Sequence, residues 1–138
     1  MKKKNEKSLK VRFLGGVGEI GKNMTALEYG NDIIVIDAGN SFPTEDMPGV
    51  DLLIPETGWL EENKERVRGY IITHGHEDHI GGLDNVINSF EIGEVYMPET
   101  TTNTKTYEDV LNAIANKNLQ ITVPKIGDKF NVGTAEAE

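Results

Sequence analysis

Three histidines are present in the 138 residues, and all of them, His74, His76 and His79, fall within six consecutive positions together with Asp78. The run Thr73-His74-Gly75-His76-Glu77-Asp78-His79 follows the apolar stretch Tyr70-Ile71-Ile72 and precedes Ile80. Imidazole nitrogen and carboxylate oxygen are ligand atoms that a borderline cation such as Zn²⁺ accepts in tetrahedral or five-coordinate arrangements. On a helix, residues two apart point in different directions, whereas a bend centred on Gly75 lets His74 and His76 converge. Asp78 and His79 are then free to face a second ion. The competing reading is a solvated loop whose histidines merely titrate near neutral pH. The density of the cluster speaks for metal. The chain has no cysteine, which removes thiolate zinc sites, disulfide frameworks and cysteine nucleophiles together.

A second motif lies upstream, where Gly16-Val17-Gly18-Glu19-Ile20-Gly21 has the G-x-G-x-x-G spacing of dinucleotide sites. That fingerprint needs a helix opening at its third glycine to aim an N-terminal dipole at the pyrophosphate. Only eight residues separate Gly21 from Gly30, too few for a crossover helix before the next turn. The preferred reading is a loop whose glycines allow sharp turns and close backbone approach beside the metal site. Asn23 and Thr25 are weaker candidates for nucleotide contact. Asp37, in Ile36-Asp37-Ala38-Gly39, is either an ordinary carboxylate ending a strand or one that orients a histidine ligand, and the second is the preferred reading.

The elements that must carry these residues follow from patterning. Residues 9–14 alternate Leu9, Val11 and Phe13 with Lys10 and Arg12, as in a half-buried strand. Gly30-Asn31 between 24–29 and 32–37 is a two-residue hairpin turn. Residues 38–49 read as a long loop, 58–68 as a helix with Thr57 as N-cap and Gly69 as its stop, and 70–73 as a buried strand. The histidine run reads as a polar loop and 80–90 as a helix. Thr106 with Asp109 resembles a capping box, with Tyr107, Val110, Leu111 and Ile114 on one helical face. Residues 95–97, 119–123 and 129–132 read as strands, the last two separated by a turn at Gly127-Asp128. Interleaved strands and helices imply an α/β or α+β layered domain.

Fourteen basic against 23 acidic side chains give a net charge of −9, and 37% of residues are hydrophobic. One domain with a modest core is expected, with residues 1–8 as a polar basic tail and 9–138 as a partial domain. The acidic balance disfavours non-specific nucleic-acid binding through a basic face, leaving metal ions or a local cationic groove to hold a polyanion. The basic start lacks the apolar stretch of an export signal, and the run 33–36 is far too short to cross a bilayer. A cytoplasmic protein without membrane contact is expected. The alternation from Thr134 to Glu138 leads to the expectation of an element cut short.

His74-x-His76-x-Asp78-His79 after a buried strand resembles the signature of the metallo-β-lactamase superfamily. Residues 9–82 resemble the start of the ribonuclease J family of β-CASP nucleases. That resemblance runs through the glycine loop up to Met24, Ile36-Asp37-Ala38-Gly39, Phe42-Pro43, 46–51, and Ile72 to Gly82. Residues 83–133, with 95–98 and 104–109, look closer to the hydrolase domain of competence-type DNA-uptake proteins. Either likeness implies an αββα sandwich, two sheets face to face with helices outside, here its amino-terminal half. It also implies that His74 and His76 bind a first metal and Asp78 and His79 a second, with Asp78 and His79 catalytic. Zn²⁺ is the implied cofactor, with Mn²⁺ or Mg²⁺ as alternatives, and RNA the implied substrate, cut internally and trimmed from a 5′ end. The family requires further ligands downstream, and no histidine follows His79. The resemblance therefore implies an amino-terminal fragment, inactive alone. The alternatives are another hydrolase of the superfamily, a dinucleotide-binding module, or a non-catalytic metal-binding or interaction fragment, which as a homo-oligomer would pair its exposed strands with another chain.

Overall fold

A computed structural model describes residues 8–97, 103–132 and 135–137 of the chain. Most of the basic tail, Pro98, Thr134 and Glu138 lie outside the described residues.

Strand β1 (Leu9–Gly15) pairs antiparallel with β2 (Met24–Tyr29), which turns through Gly30 and Asn31 into β3 (Asp32–Ile36). Gly30 takes φ +62°, the left-handed conformation that a two-residue hairpin turn uses. Strand β4 (Val67–Ile71) joins parallel to β3, giving a four-stranded sheet in the order β1-β2-β3-β4. The period-2 pattern divides this sheet into two unlike faces. On one, Met24, Ala26, Ile33 and Val35 are buried in a cluster with Leu14, Ala38 and Leu60. Trp59, Tyr70, Leu83 and Val86 pack against it.

Register places Leu9, Val11 and Phe13 on the other face, opposite Tyr29, Leu27 and Thr25, with Ile71 beside Ile36. Leu9, Val11, Phe13, Tyr29 and Ile71 are exposed there. An apolar face of this kind is what a second sheet covers in a sandwich.

Between β3 and β4 lie a long loop, helix α1 (Gly58–Glu62) and a 3₁₀ turn over Lys64–Arg66. Sequence patterning overextends this helix. It ends at Glu62, and Gly69, expected as its stop, sits inside β4 opposite Ile34. Parallel pairing with β3 and the packing of Val67 and Tyr70 on the core override the helical composition of 64–68. Ion pairs tie this segment to the hairpin, Arg66 Nη2 to Glu28 Oε1 at 2.6 Å and Arg68 Nε to Asp32 Oδ1 at 2.7 Å. Thr57 precedes α1 without a side-chain cap, and Glu56 Oε1 accepts from Gly58 N instead.

The chain continues as helix α2 (Glu77–Ile80), helix α3 (Leu83–Ser89), β5 (Val95–Tyr96), helix α4 (Lys105–Asn116), β6 (Ile121–Thr122), β7 (Phe130–Val132) and β8 (Ala135–Ala137). β5 and β6 pair parallel, and β7 and β8 antiparallel. The helix expected over 80–90 is broken at Gly81-Gly82. Ile87 of α3 forms a second cluster with Val110, Ala113 and Ile114 of α4. The cap of α4 is Thr104, whose hydroxyl accepts from Tyr107 N, and not Thr106 as the capping-box pattern suggested. Thr106 Oγ1 instead reaches across to Glu77 Oε1 at 2.5 Å. Leu111, expected on the buried face, is half-buried, and Ala113 takes that place. Among the described residues no helix is long and apolar enough to cross a membrane.

Candidate metal centre

The site is assembled where three chain segments leave the edge of the sheet. The first is the end of β3. Asp37 takes φ +61°, a conformation that aspartate tolerates better than most residues, and its N–H donates to Ile71 O at 2.9 Å. The bend turns its carboxylate toward the segment that follows β4. Asp37 is buried, and its oxygens are fully engaged: Oδ1 accepts from Thr73 N at 2.8 Å, the Thr73 hydroxyl lies 2.9 Å from Oδ2, and His79 Nδ1 lies 2.6 Å from Oδ2. A carboxylate has only acceptors, so Nδ1 carries the hydrogen and Nε2 keeps its lone pair. That is the orientation a metal-ligating histidine needs.

The second segment is α2. The expected polar loop 74–79 is only partly a loop, since Glu77, Asp78 and His79 form the first turn of this helix. His76 is extended at its N-cap position, and its carbonyl accepts from His79 N and Ile80 N. Glu77 and Asp78 in the first turn suit the helix dipole there. The third segment, residues 38–40 with Asn23, clamps the carbonyls of this short helix. Ala38 N donates to His79 O at 2.7 Å, Asn23 N to Asp78 O at 3.1 Å, and Gly82 N returns to Ala38 O at 2.7 Å. Approach is so close that a Cβ on Gly39 would lie 1.6 Å from Asp78 O.

This framework brings His74, His76 and Asp78 together with one ligand atom each, all within 4.8 Å of one another. His74 and His76 are exposed and Asp78 is half-buried. Ligand atoms around a tetrahedral zinc ion stand about 3.4 Å apart for bonds near 2.1 Å, so small rotations close the set on an ion. Two imidazoles and a carboxylate fit a divalent cation in donor type and charge. The family resemblance divided these residues as His74 with His76 and Asp78 with His79; the geometry places Asp78 with both histidines and also beside His79, whose Nε2 is 3.3 Å from Asp78 Oδ2. The His74 and His79 ring centroids are 3.8 Å apart, so the four side chains form one group.

The glycine loop opens no helix. Gly16, Gly18 and Gly21 take φ of +80°, +76° and +87°, and β2 begins at Met24. Asn23, considered from sequence only as a weak nucleotide contact, touches Asp78 and His79 instead. No spacing rule links position 23 to position 78, so the sequence carried no signal for that contact.

The model of the metallo-beta-lactamase superfamily matches residues 17–136. Ribonuclease J of Synechocystis is 47% identical over 91 residues, covering 66% of this chain and 14% of that protein. Ribonuclease J of Thermus thermophilus is 56% identical over 70 residues, 51% of this chain and 12% of its own length. Ribonuclease J2 of Bacillus subtilis is 44% identical over 92 residues, 67% and 17%. The chain thus spans between 12% and 17% of the length of these curated relatives. The crystal structure of human tRNase Z, short form, matches 84% of this chain and 46% of its own at 16% identity, with a TM-score of 0.46. A family match that runs from the glycine loop through the histidine run and on past α4 settles the kinship: the chain belongs to the metallo-beta-lactamase superfamily.

Proposed function

We propose that this chain forms the cation-binding part of a ribonuclease J-like hydrolase that cleaves RNA phosphodiester bonds. The observation that carries the reading is the convergence of His74, His76 and Asp78, with His79 alongside and oriented by Asp37. Zn²⁺ is the preferred ion, with Mn²⁺ or Mg²⁺ as alternatives. A divalent cation there supplies a water of lowered pKa and neutralises charge growing on phosphoryl oxygens. His74, His76 and Asp78 hold the ion; His79 offers Nε2, and Asp37 fixes its tautomer. The relatives at 44% to 56% identity are named ribonuclease J, which favours RNA over the substrates of competence-type hydrolases.

The reading places the protein in the cytoplasm with RNA as its partner and no membrane. By itself the chain is expected to bind the ion without turning over RNA, because the resemblance calls for more ligands than His74, His76, Asp78 and His79. A homo-oligomer pairing the exposed sheet face is the second reading, favoured by Leu9, Val11 and Phe13, and sedimentation checks it. Calorimetry with Zn²⁺ tests the first: binding by the chain and its loss in a His74→Ala, His76→Ala double variant are expected. Binding that survives both substitutions places the ion elsewhere and ends the proposal. In a longer version carrying the remaining ligands, metal-dependent RNA cleavage abolished by Asp78→Ala is expected.

A further inference from the structure

We propose that Asn23 is a positioning residue for the cation, and that the glycine loop provides the room in which it sits. The inference rests on the metal-centre reading above. The Asn23 carboxamide nitrogen lies 3.0 Å from Asp78 Oδ2, 3.1 Å from Asp78 O and 3.3 Å from His79 Nε2. Two of these neighbours, Asp78 Oδ2 and Asp78 O, are oxygens that only accept, and they take the two amide hydrogens while His79 Nε2 keeps its lone pair for the ion. The amide must therefore turn its NH₂ toward them, since the reversed orientation would set oxygen against two oxygens. The donation to Oδ2 fixes the rotamer of the Asp78 carboxylate and leaves its other oxygen for a cation. Asn23 is itself held by its backbone, through N to Asp78 O and through O from Gly39 N at 3.0 Å.

The loop before it is shaped around this residue. A Cβ on Gly16 would come within 2.7 Å of Asn23 Oδ1 and 3.2 Å of its Cα, and one on Gly15 within 2.2 Å of Lys22 O. Gly16 also has φ +80°, which a side chain would strain. A motif with dinucleotide-type spacing thus has another use here. Of its glycines Gly16 leaves the space in which Asn23 sits, while Gly15 just before the motif leaves room for Lys22, and the carboxamide reaches across to a ligand 55 residues away.

The test compares the chain with Asn23→Ala and Asn23→Asp, the second keeping size and acceptors while losing the N–H donors. Three readouts are taken: zinc affinity by calorimetry, thermal melting of the metal-free protein, and visible absorption of bound Co²⁺, which reports the donor set. Expected are a loss of about 10-fold or more in zinc affinity for both variants, as when a partner hydrogen-bonded to a metal ligand is removed. The melting temperature stays near that of the parent in at least Asn23→Asp, and the Co²⁺ spectrum shifts toward that of Asp78→Asn. Gly16→Ala follows the same direction. Zinc affinity within twofold of the parent in the folded variants overturns the inference. So does a loss of affinity with an unchanged Co²⁺ spectrum, because the effect then does not pass through Asp78. A parent chain that binds no zinc overturns the metal reading itself, an outcome distinct from either.

Discussion

The Asp37 carboxylate and the His79 imidazole are 42 residues apart in the chain and 2.6 Å apart in space. Asn at position 37 keeps the left-handed backbone accessible and removes the charge. Asp37→Asn is expected to lower zinc affinity about 10- to 100-fold, as loss of a histidine's orienting partner does elsewhere. It should also cost about 1.5 to 3 kcal/mol of stability, the range for a hydrogen bond to a charged group. Calorimetry and urea denaturation measure the two effects, and nitrogen NMR of the imidazole reads its tautomer. Unchanged affinity with an altered tautomer would show that Asp37 does not act through His79.

Gly39 has no room for a methyl group, since its Cβ would overlap Asp78 O. Gly39→Ala must push α2 off residues 38–40, and overpacking of this kind costs about 1 to 3 kcal/mol. Zinc affinity should fall with it although every ligand is still present. Parent-like melting and zinc binding in this variant would contradict the close packing described.

The Arg66 guanidinium, hydrogen-bonded to Glu28, holds that carboxyl below the usual carboxylate range; burial opposes the shift, and the positive charge of Lys10 adds to it. A pKa lowered on folding means that the unfolded chain binds the proton more tightly. The stabilisation is therefore present above the ordinary carboxylate pKa and is lost as pH falls through the lower folded value. Urea midpoints measured from pH 7 down to 3 should decline in the parent, with a flatter acid limb in Glu28→Gln. Parallel limbs in the two proteins would remove Glu28 from the account.

Thr104 and Thr106 separate a cap from a tether. Thr104→Ala should destabilise the fold by about 1 kcal/mol through loss of the α4 N-cap. Thr106→Ala removes only the contact to Glu77. Its effect should be smaller on melting and visible instead in amide exchange of α2. Equal melting losses would argue against Thr104 as the cap.

Local chemistry made part of this architecture readable. Gly30-Asn31 marks the hairpin because few other residue pairs take that turn, and the alternation from Leu9 to Phe13 marks β1. The density of imidazoles at 74–79 marks the candidate cation site, and Asp37 stood out as a carboxylate at a strand end. What could not be read depends on partners distant in sequence. Residues 64–68 have helical composition, yet β3 draws Val67 and Arg68 into a strand. Asp78 and His79 sit on a helical turn whose carbonyls are received by Asn23, Ala38 and Asn40. Nothing in a single sequence announces such donors.

The closeness of Gly39 to Asp78 has a genetic corollary. Glycine codons become alanine, serine, valine or aspartate codons by one base change, so a lineage could silence this centre while every imidazole and carboxylate stayed in place. Degenerate copies of the gene should therefore be sought by the bulk at position 39 as well as by missing donors.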